Sequence, residues 1–192
     1  MEFFDWLEHC AFSTMIKENW VLYEAPLLAH AIGMAIMVGL STAVYLRLLG
    51  IASGVPLGPL ASYFKLMWTG FWMNAVSGVV LFALGPLRLV VNPVFYIKLV
   101  GVLLSVVYLR KVYRQAFGPS APKDGTVSPE ARTSAATGLA IWLGTITAGR
   151  LLAYQGITGV EKETAIATLV TTVILLVGYR AFRGSGASGV AG

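Results

Sequence analysis

The stretch Leu27–Leu40, LLAHAIGMAIMVGL, decides the fold class. It is apolar except at His30, whose ring nitrogens need hydrogen-bond partners that a lipid interior does not supply. An ionisable side chain at membrane depth is by default a candidate functional residue. Two questions follow: whether this segment crosses a bilayer, and what the imidazole binds there.

The composition is that of a membrane protein. Of 192 residues, 57% are hydrophobic and only 12% are charged, and the mean hydropathy is +0.75, whereas a soluble domain carries about 25% charged residues. The single cysteine, Cys10, excludes an internal disulfide and any site built from several cysteines of this chain. The net charge of +5 arises from basic residues at the ends of apolar segments, where they act as topology signals and not as a nucleic-acid surface.

Five apolar segments are long enough to cross a bilayer, which takes about 20 residues. They are Ala25–Arg47, Tyr63–Leu87, Pro93–Tyr113, Thr133–Ala153 and Thr164–Phe182. Glycine and proline separate them, as expected for connecting turns. The sequence therefore predicts an all-α fold, with a bundle of five transmembrane helices over residues 24–183 and a flexible tail over residues 184–192.

Residues 1–23 are too polar to cross the membrane. Near one face of a helix lie Phe3, Phe4, Leu7, Cys10 and Met15, while acidic residues occupy other positions. This pattern predicts one amphipathic helix that lies on the outer, periplasmic interface.

The basic residues orient the bundle. With the N-terminus outside, nine of the 14 lysines and arginines fall on the cytoplasmic side, as the positive-inside rule requires. The three spans that then run inward end alike, in AVYLR, VVYLR and VGYRAFR, which places Tyr and Arg at the interface. We expect a multi-pass protein of the bacterial inner membrane, with a periplasmic N-terminus and a cytoplasmic C-terminus.

Two polar faces stand out within the spans. His30, Met34, Met37 and Ser41 lie in one narrow stripe of the first span, and such a stripe is expected to face protein. On the second span, the residues close together on the helix surface are Met67, Gly70, Asn74, Ser77 and Gly78. This small-residue groove predicts a contact between helices.

Three basic residues lie at a membrane depth similar to that of His30. Arg88, Lys98 and Arg150 all lie near the outer ends of their spans, and the spans contain no carboxylate to pair with them. A b-type haem resolves the imbalance, because imidazole ligates iron and the two propionates accept hydrogen bonds from arginine and lysine. His30 is then the axial ligand, and His9, the only other histidine, is the candidate second ligand. Met73 or a residue of a partner subunit could take that place instead, and a five-coordinate haem is also allowed.

Copper is the alternative cofactor. His30, Met34 and Met37 supply imidazole and thioether ligands, the soft set that selects Cu(I), and His9, Cys10 and Met15 lie outside the spans. The third possibility is a structural or assembly subunit without a cofactor, in which His30 donates to a neighbouring helix and the cations reach lipid phosphates.

The segments AHAIGMAIMVGLSTAVYLRLLG and WLGTITAGRLLAY resemble a bacterial family of small multi-helix inner-membrane proteins that carries no assigned activity. The first segment also resembles the opening helix of copper-resistance D-type and small cytochrome b-type membrane proteins, in which glycines follow a histidine on an apolar helix. The resemblance implies that His30 is a ligand and that Arg150 pairs with an anion.

No P-loop, GxGxxG, HExxH or GxSxG motif is present, so the chain offers no autonomous catalytic site. We expect a haem b membrane subunit that transfers electrons between quinone and a periplasmic redox protein. Because the chain has no catalytic site of its own, we expect a partner subunit to carry out any chemistry. A copper-handling permease is the second hypothesis.

Overall fold

The computed structural model describes residues 1–122, 125–158, Ala167 and Thr171, and this described part of the chain contains helices and no strand. In chain order the α-helices are α1 (Glu2–His9), α2 (Ala11–Glu18), α3 (Trp20–Leu48), α4 (Tyr63–Ala83), α5 (Pro86–Val90), α6 (Pro93–Phe117) and α7 (Pro129–Thr158). A 3₁₀ turn at Gly58–Ser62 leads directly into α4. The prediction of an all-α fold is confirmed over the described residues.

Within the described residues, four helices are long and apolar enough to cross a membrane: α3, α4 with its preceding 3₁₀ turn, α6 and α7. Their most apolar windows have mean hydropathies of 1.3 to 1.9. The chain is therefore a multi-pass membrane protein, and four of the predicted spans correspond to observed helices. The fifth predicted span, Thr164–Phe182, lies outside the described residues.

The second span ends earlier than predicted. Helix α4 stops at Ala83, four residues before the expected end at Leu87. Gly85 adopts a non-helical conformation, with φ −160° and ψ 55°, and Pro86 has no N–H to donate to an α4 carbonyl. Proline instead occupies the first turn of the short helix α5, a position that it favours.

The prediction of one helix over residues 1–23 was wrong. Cys10, with ψ 158°, and Asn19, with ψ 110°, are extended and divide the region into α1, α2 and the start of α3. The side-chain oxygen of Asn19 lies 3.1 Å from the N–H of Val21 and 3.3 Å from that of Leu22. Asparagine thus satisfies amides that the first turn of α3 leaves without an intrahelical acceptor.

Side chains attach α1 and α2 to the end of α4. The Ser13 hydroxyl is fully buried and lies 2.7 Å from the carbonyl of Leu7 and 3.2 Å from that of Ala83. The rings of Phe4 and Phe82 meet edge to face, with centroids 6.2 Å apart. The two short helices therefore have a defined place beside α4.

The described chain divides into two compact units. The first comprises residues 1–44 and 56–92, and the second comprises residues 45–55 and the described part of 93–192. The first unit thus holds α1, α2, most of α3, α4 and α5. The second holds α6, α7 and the last turn of α3.

In the first unit, α3 and α4 touch backbone to backbone. A Cβ atom at Gly33 would lie 2.7 Å from both the amide nitrogen of Asn74 and the carbonyl oxygen of Gly70. A Cβ atom at Gly70 would lie 2.9 Å from the carbonyl oxygen of Gly33. Glycine at both positions is what permits this approach, as in other membrane helix pairs.

In the second unit, α6 and α7 pack through Gly101, whose missing side chain leaves room for the hydroxyl of Thr145. The phenol of Tyr45 lies over Gly138 of α7, with its ring and hydroxyl 2.9 to 3.0 Å from the position of a Cβ atom there. Both glycines therefore serve close helix packing.

The α3–α4 contact predicts that Gly33→Ala destabilises the protein. The added methyl group meets main-chain atoms of α4 that cannot move aside, so we expect a loss of about 2 kcal/mol and a lower midpoint of thermal unfolding in detergent. Gly39→Ala is the matched control, because Gly39 is on the same helix and has no atom within 4 Å of its Cβ position. Equal midpoints for the two variants would contradict the packing.

Candidate functional site

His30 of α3 is held by α4. Its Nδ1 lies 3.0 Å from the main-chain carbonyl of Asn74 and 3.3 Å from the hydroxyl oxygen of Ser77. A carbonyl oxygen only accepts hydrogen bonds, so Nδ1 carries the proton and donates it. In the neutral imidazole the lone pair is then on Nε2.

A second hydrogen bond joins the same two residues in the opposite direction, from α4 to α3. The side-chain amide of Asn74 donates to the main-chain carbonyl of His30 at 2.9 Å. Each helix thus directs one polar side chain to a carbonyl of the other, which pairs two donors that lipid could not satisfy. These two hydrogen bonds link α3 to α4.

The face of α4 that receives the ring is built from small residues. Gly78 has no side chain, and a Cβ atom there would lie 3.2 Å from Cε1 of His30. Ser77 is buried and its hydroxyl lies 2.7 Å from the carbonyl of Met73 on its own helix. The small-residue groove predicted on the second span, with Gly70, is therefore a helix contact, and it is also the seat of the histidine.

The histidine stripe faces protein only in part. Met37 is 3% exposed and Ser41 is fully buried, as predicted. Met34 is 37% exposed, so the expectation that it faces protein was wrong. The reason is that α3 contacts α4 through the face that carries Gly33, and Met34 lies about 100° around the helix from Gly33.

His9 has a local role in α1. Its side chain is 69% exposed, and Nδ1 lies 2.9 Å from the main-chain carbonyl of Asp5 and 3.6 Å from the Asp5 carboxylate. These contacts keep the imidazole at the last turn of its own helix, where a cation is also favoured. Its assignment as second haem ligand stays a prediction.

The three outer cations fall in different units. Arg88 is an exposed residue of α5 in the first unit. Lys98 is half-buried in α6 of the second unit, with Cε 3.5 Å and Nζ 3.9 Å from the Cβ position of Gly149 on α7. Arg150 is the next residue of α7, so Lys98 and Arg150 share one level of the second unit. Among the described residues, no carboxylate forms a salt bridge with Lys98.

An open groove runs along the flank of α3 and α4. Its volume is about 690 Å³, within the range of small-molecule sites. Ala25, Pro26 and Ala29 line it on α3, and Trp72, Val76 and Ser77 are among its residues on α4. The walls are apolar except at hydroxyl groups, and the Ser77 hydroxyl is the one that meets Nδ1 of His30.

Over the described residues, no three His, Cys, Asp or Glu side chains lie close enough together to hold a metal ion. Cys10 is half-buried and its thiol lies 3.3 Å from the carbonyl of Leu7. Hydrogen bonding from the backbone and hydroxyl of Ser13 lowers the pKa of the Cys10 thiol below its ordinary value.

Asn74 is the residue whose part in the site the sequence did not reveal. Its helical spacing from Gly70 and Gly78 indicated a contact face, but no local pattern indicates that this face meets His30, 44 residues away. The chain matches no protein-family model, no curated protein sequence and no solved structure, so the site is interpreted from its own geometry.

Proposed function

We propose that this protein is a b-type haem subunit of a membrane complex, which passes electrons between a quinone and a periplasmic redox protein. The observation that supports it is the hydrogen bond from Nδ1 of His30 to the carbonyl of Asn74. Histidines that ligate metals almost always donate their other ring N–H to a carbonyl or carboxylate, which fixes the tautomer and raises the basicity of the ligating nitrogen.

His30 would hold a haem iron through Nε2, with Asn74 and Ser77 orienting the ring through Nδ1. A bound haem supplies one-electron transfer, whose potential depends on its axial ligands and on nearby hydrogen bonds. His9 is proposed as the second ligand, and the open groove beside Ser77 as a place for an apolar partner such as quinone.

Arg88, Lys98 and Arg150 are proposed to bind the propionates. Support comes from Lys98, whose ammonium lies against Gly149 within an apolar helix and has no salt bridge to a described carboxylate. A cation in such surroundings is stabilised by an anion, and a propionate near the aqueous boundary provides one. The protein holds the cofactor and a partner carries out any further chemistry, so we propose a non-catalytic subunit.

Two other functions remain candidates. The copper permease built on His30, Met34 and Met37 is less well supported, because Met34 is 37% exposed whereas Met37 is 3% exposed. A structural or assembly subunit without cofactor is favoured by the reciprocal bonds of His30 and Asn74, which already satisfy both side chains in part.

Absorbance spectroscopy tests the haem proposal. Purified wild-type protein is expected to show a Soret band and a reduced-minus-oxidised α-band, and both should disappear in His30→Ala. Asn74→Ala is the matched control: it also removes one α3–α4 hydrogen bond, but it keeps the main-chain carbonyl that accepts from Nδ1. It should therefore retain haem.

Each other outcome of this measurement contradicts haem ligation by His30. Loss of both bands in the two variants alike would assign His30 a structural role. Colourless wild-type protein that retains copper would support the permease, and colourless protein without copper would support the structural subunit.

We also propose that α1 and α2 lie on the periplasmic interface of the inner membrane. Large apolar side chains along this region are exposed on the described chain: Phe3 is 63%, Trp6 61%, Phe12 49% and Trp20 76% exposed. Aromatic rings of this kind favour the headgroup level of a bilayer. The N-terminus is then periplasmic and the C-terminus cytoplasmic.

The single cysteine tests this orientation. A membrane-impermeant maleimide added to intact spheroplasts should label Cys10, and the lowered pKa of the thiol should make labelling faster than for an ordinary cysteine at the same pH. The control is Cys10→Ala with Ser62→Cys, which moves the thiol to the exposed residue preceding α4. Labelling of the control without permeabilisation, and of Cys10 only after it, would reverse the orientation.

A further inference from the structure

Helix α6 carries one continuous stripe of exposed side chains. Its members follow one another at alternating steps of four and three residues, which keeps them on one side of a helix. They are Tyr96, Val100, Leu103, Val107, Arg110 and Arg114. The four uncharged members are exposed, and the three aliphatic ones are each more than half exposed. The α6 stripe is therefore uncharged over about three turns and cationic at its C-terminal end.

The cationic end of the α6 stripe points away from α7. Gly101 packs against α7, and Ser105, one turn further along the same face, is fully buried. At 3.6 residues per turn, Arg110 lies about 180° around the helix from Gly101. Arg114 lies about 180° around the helix from Ser105 by the same count. Both arginines are exposed, as is their neighbour Lys111.

The same end of α6 has the composition of a membrane interface. The ammonium of Lys111 lies 5.5 Å from the centroid of the Tyr108 ring, which is a cation–π contact. Tyrosine rings and basic side chains favour the level at which hydrocarbon meets the headgroups. The sequence of α6 contains no Asp or Glu, so its own helix does not neutralise this charge.

A phospholipid matches both parts of the α6 stripe. Its acyl chains can lie along the aliphatic side chains while its phosphate meets the cations at the end of the helix. A second copy of the chain matches less well. Two copies inserted with the same orientation and related by a two-fold axis would bring the two cationic ends together, and like charges repel. An acidic protein segment would match the arginines but would leave the aliphatic side chains without an apolar partner.

We propose that the α6 stripe binds an anionic phospholipid. The phosphate lies among Arg110, Lys111 and Arg114, and the acyl chains follow the stripe toward Tyr96. Arginine suits this role because its guanidinium can donate two parallel hydrogen bonds to phosphate oxygens. In the proposed orientation the lipid belongs to the cytoplasmic leaflet. None of these residues takes part in the proposed haem site, so lipid binding does not require haem.

Native mass spectrometry of the full chain in detergent measures this binding. Phosphatidylglycerol is expected to bind more tightly than zwitterionic phosphatidylcholine. Each basic residue near an anionic headgroup contributes about fivefold in affinity, so Arg110→Gln combined with Arg114→Gln should weaken phosphatidylglycerol binding by about 25-fold. The matched control is Lys65→Gln combined with Arg132→Gln, which removes the same charge from exposed positions on other helices. The control should bind phosphatidylglycerol as the wild type does.

Equal weakening in the two double variants would overturn the proposal, because net charge would then explain the binding. The wild type alone supplies a second measurement: its affinity for phosphatidylglycerol should fall as ammonium acetate is raised, since salt screens exposed charges. An affinity that does not depend on salt would contradict the phosphate contact.

Three competitors and contacts separate the lipid from other occupants. Glycerol 3-phosphate, which lacks acyl chains, should not displace phosphatidylglycerol at equal concentration, and displacement would exclude the acyl-chain contact. Polyglutamate that binds more tightly than phosphatidylglycerol would assign the surface to an acidic protein. Leu103→Cys in a Cys10→Ala background should stay monomeric under oxidation, and an efficient disulfide between copies would assign the α6 stripe to a dimer.

Discussion

Hydrocarbon offers no hydrogen-bond partner, and this constraint explains how α3 and α4 are joined. His30 and Asn74 are each costly in a bilayer, yet each donates to a main-chain carbonyl of the other helix. The glycines at positions 33, 70 and 78 bring the two backbones close enough for these bonds to form. Polar side chains and small residues therefore act together in this helix pair.

The same link determines what the imidazole can do. With Nδ1 committed to a carbonyl, the neutral ring has Nε2 as its basic nitrogen, which is the arrangement that the proposed ligand role requires. A structural role and a ligand role are thus compatible in one residue. The half-buried Lys98 beside Gly149 shows that the second unit also places a charge within an apolar helix. Groups of this type mark functional regions of membrane proteins.

Long-range patterns in the sequence predicted the fold well, because bilayer thickness sets helix length. Four spans correspond to α3, α4, α6 and α7, and the small-residue face of the second span is a helix contact. Local conformation was less predictable. The extended residues Cys10 and Asn19 divide a region whose apolar pattern fits one helix. The exposure of Met34 likewise depends on which glycine α4 approaches. The sequence could not predict which residue His30 contacts, since no periodicity relates residues 44 positions apart on different helices.

The protonation of His30 is the most direct test of its hydrogen bond to α4, and ¹⁵N NMR of the cofactor-free protein in bilayers measures it. A His9→Gln background leaves His30 as the only imidazole. At neutral pH we expect a protonated Nδ1 and an unprotonated Nε2. A proton on Nε2 with a bare Nδ1 would contradict it, because that nitrogen would then face a carbonyl oxygen without a hydrogen between them.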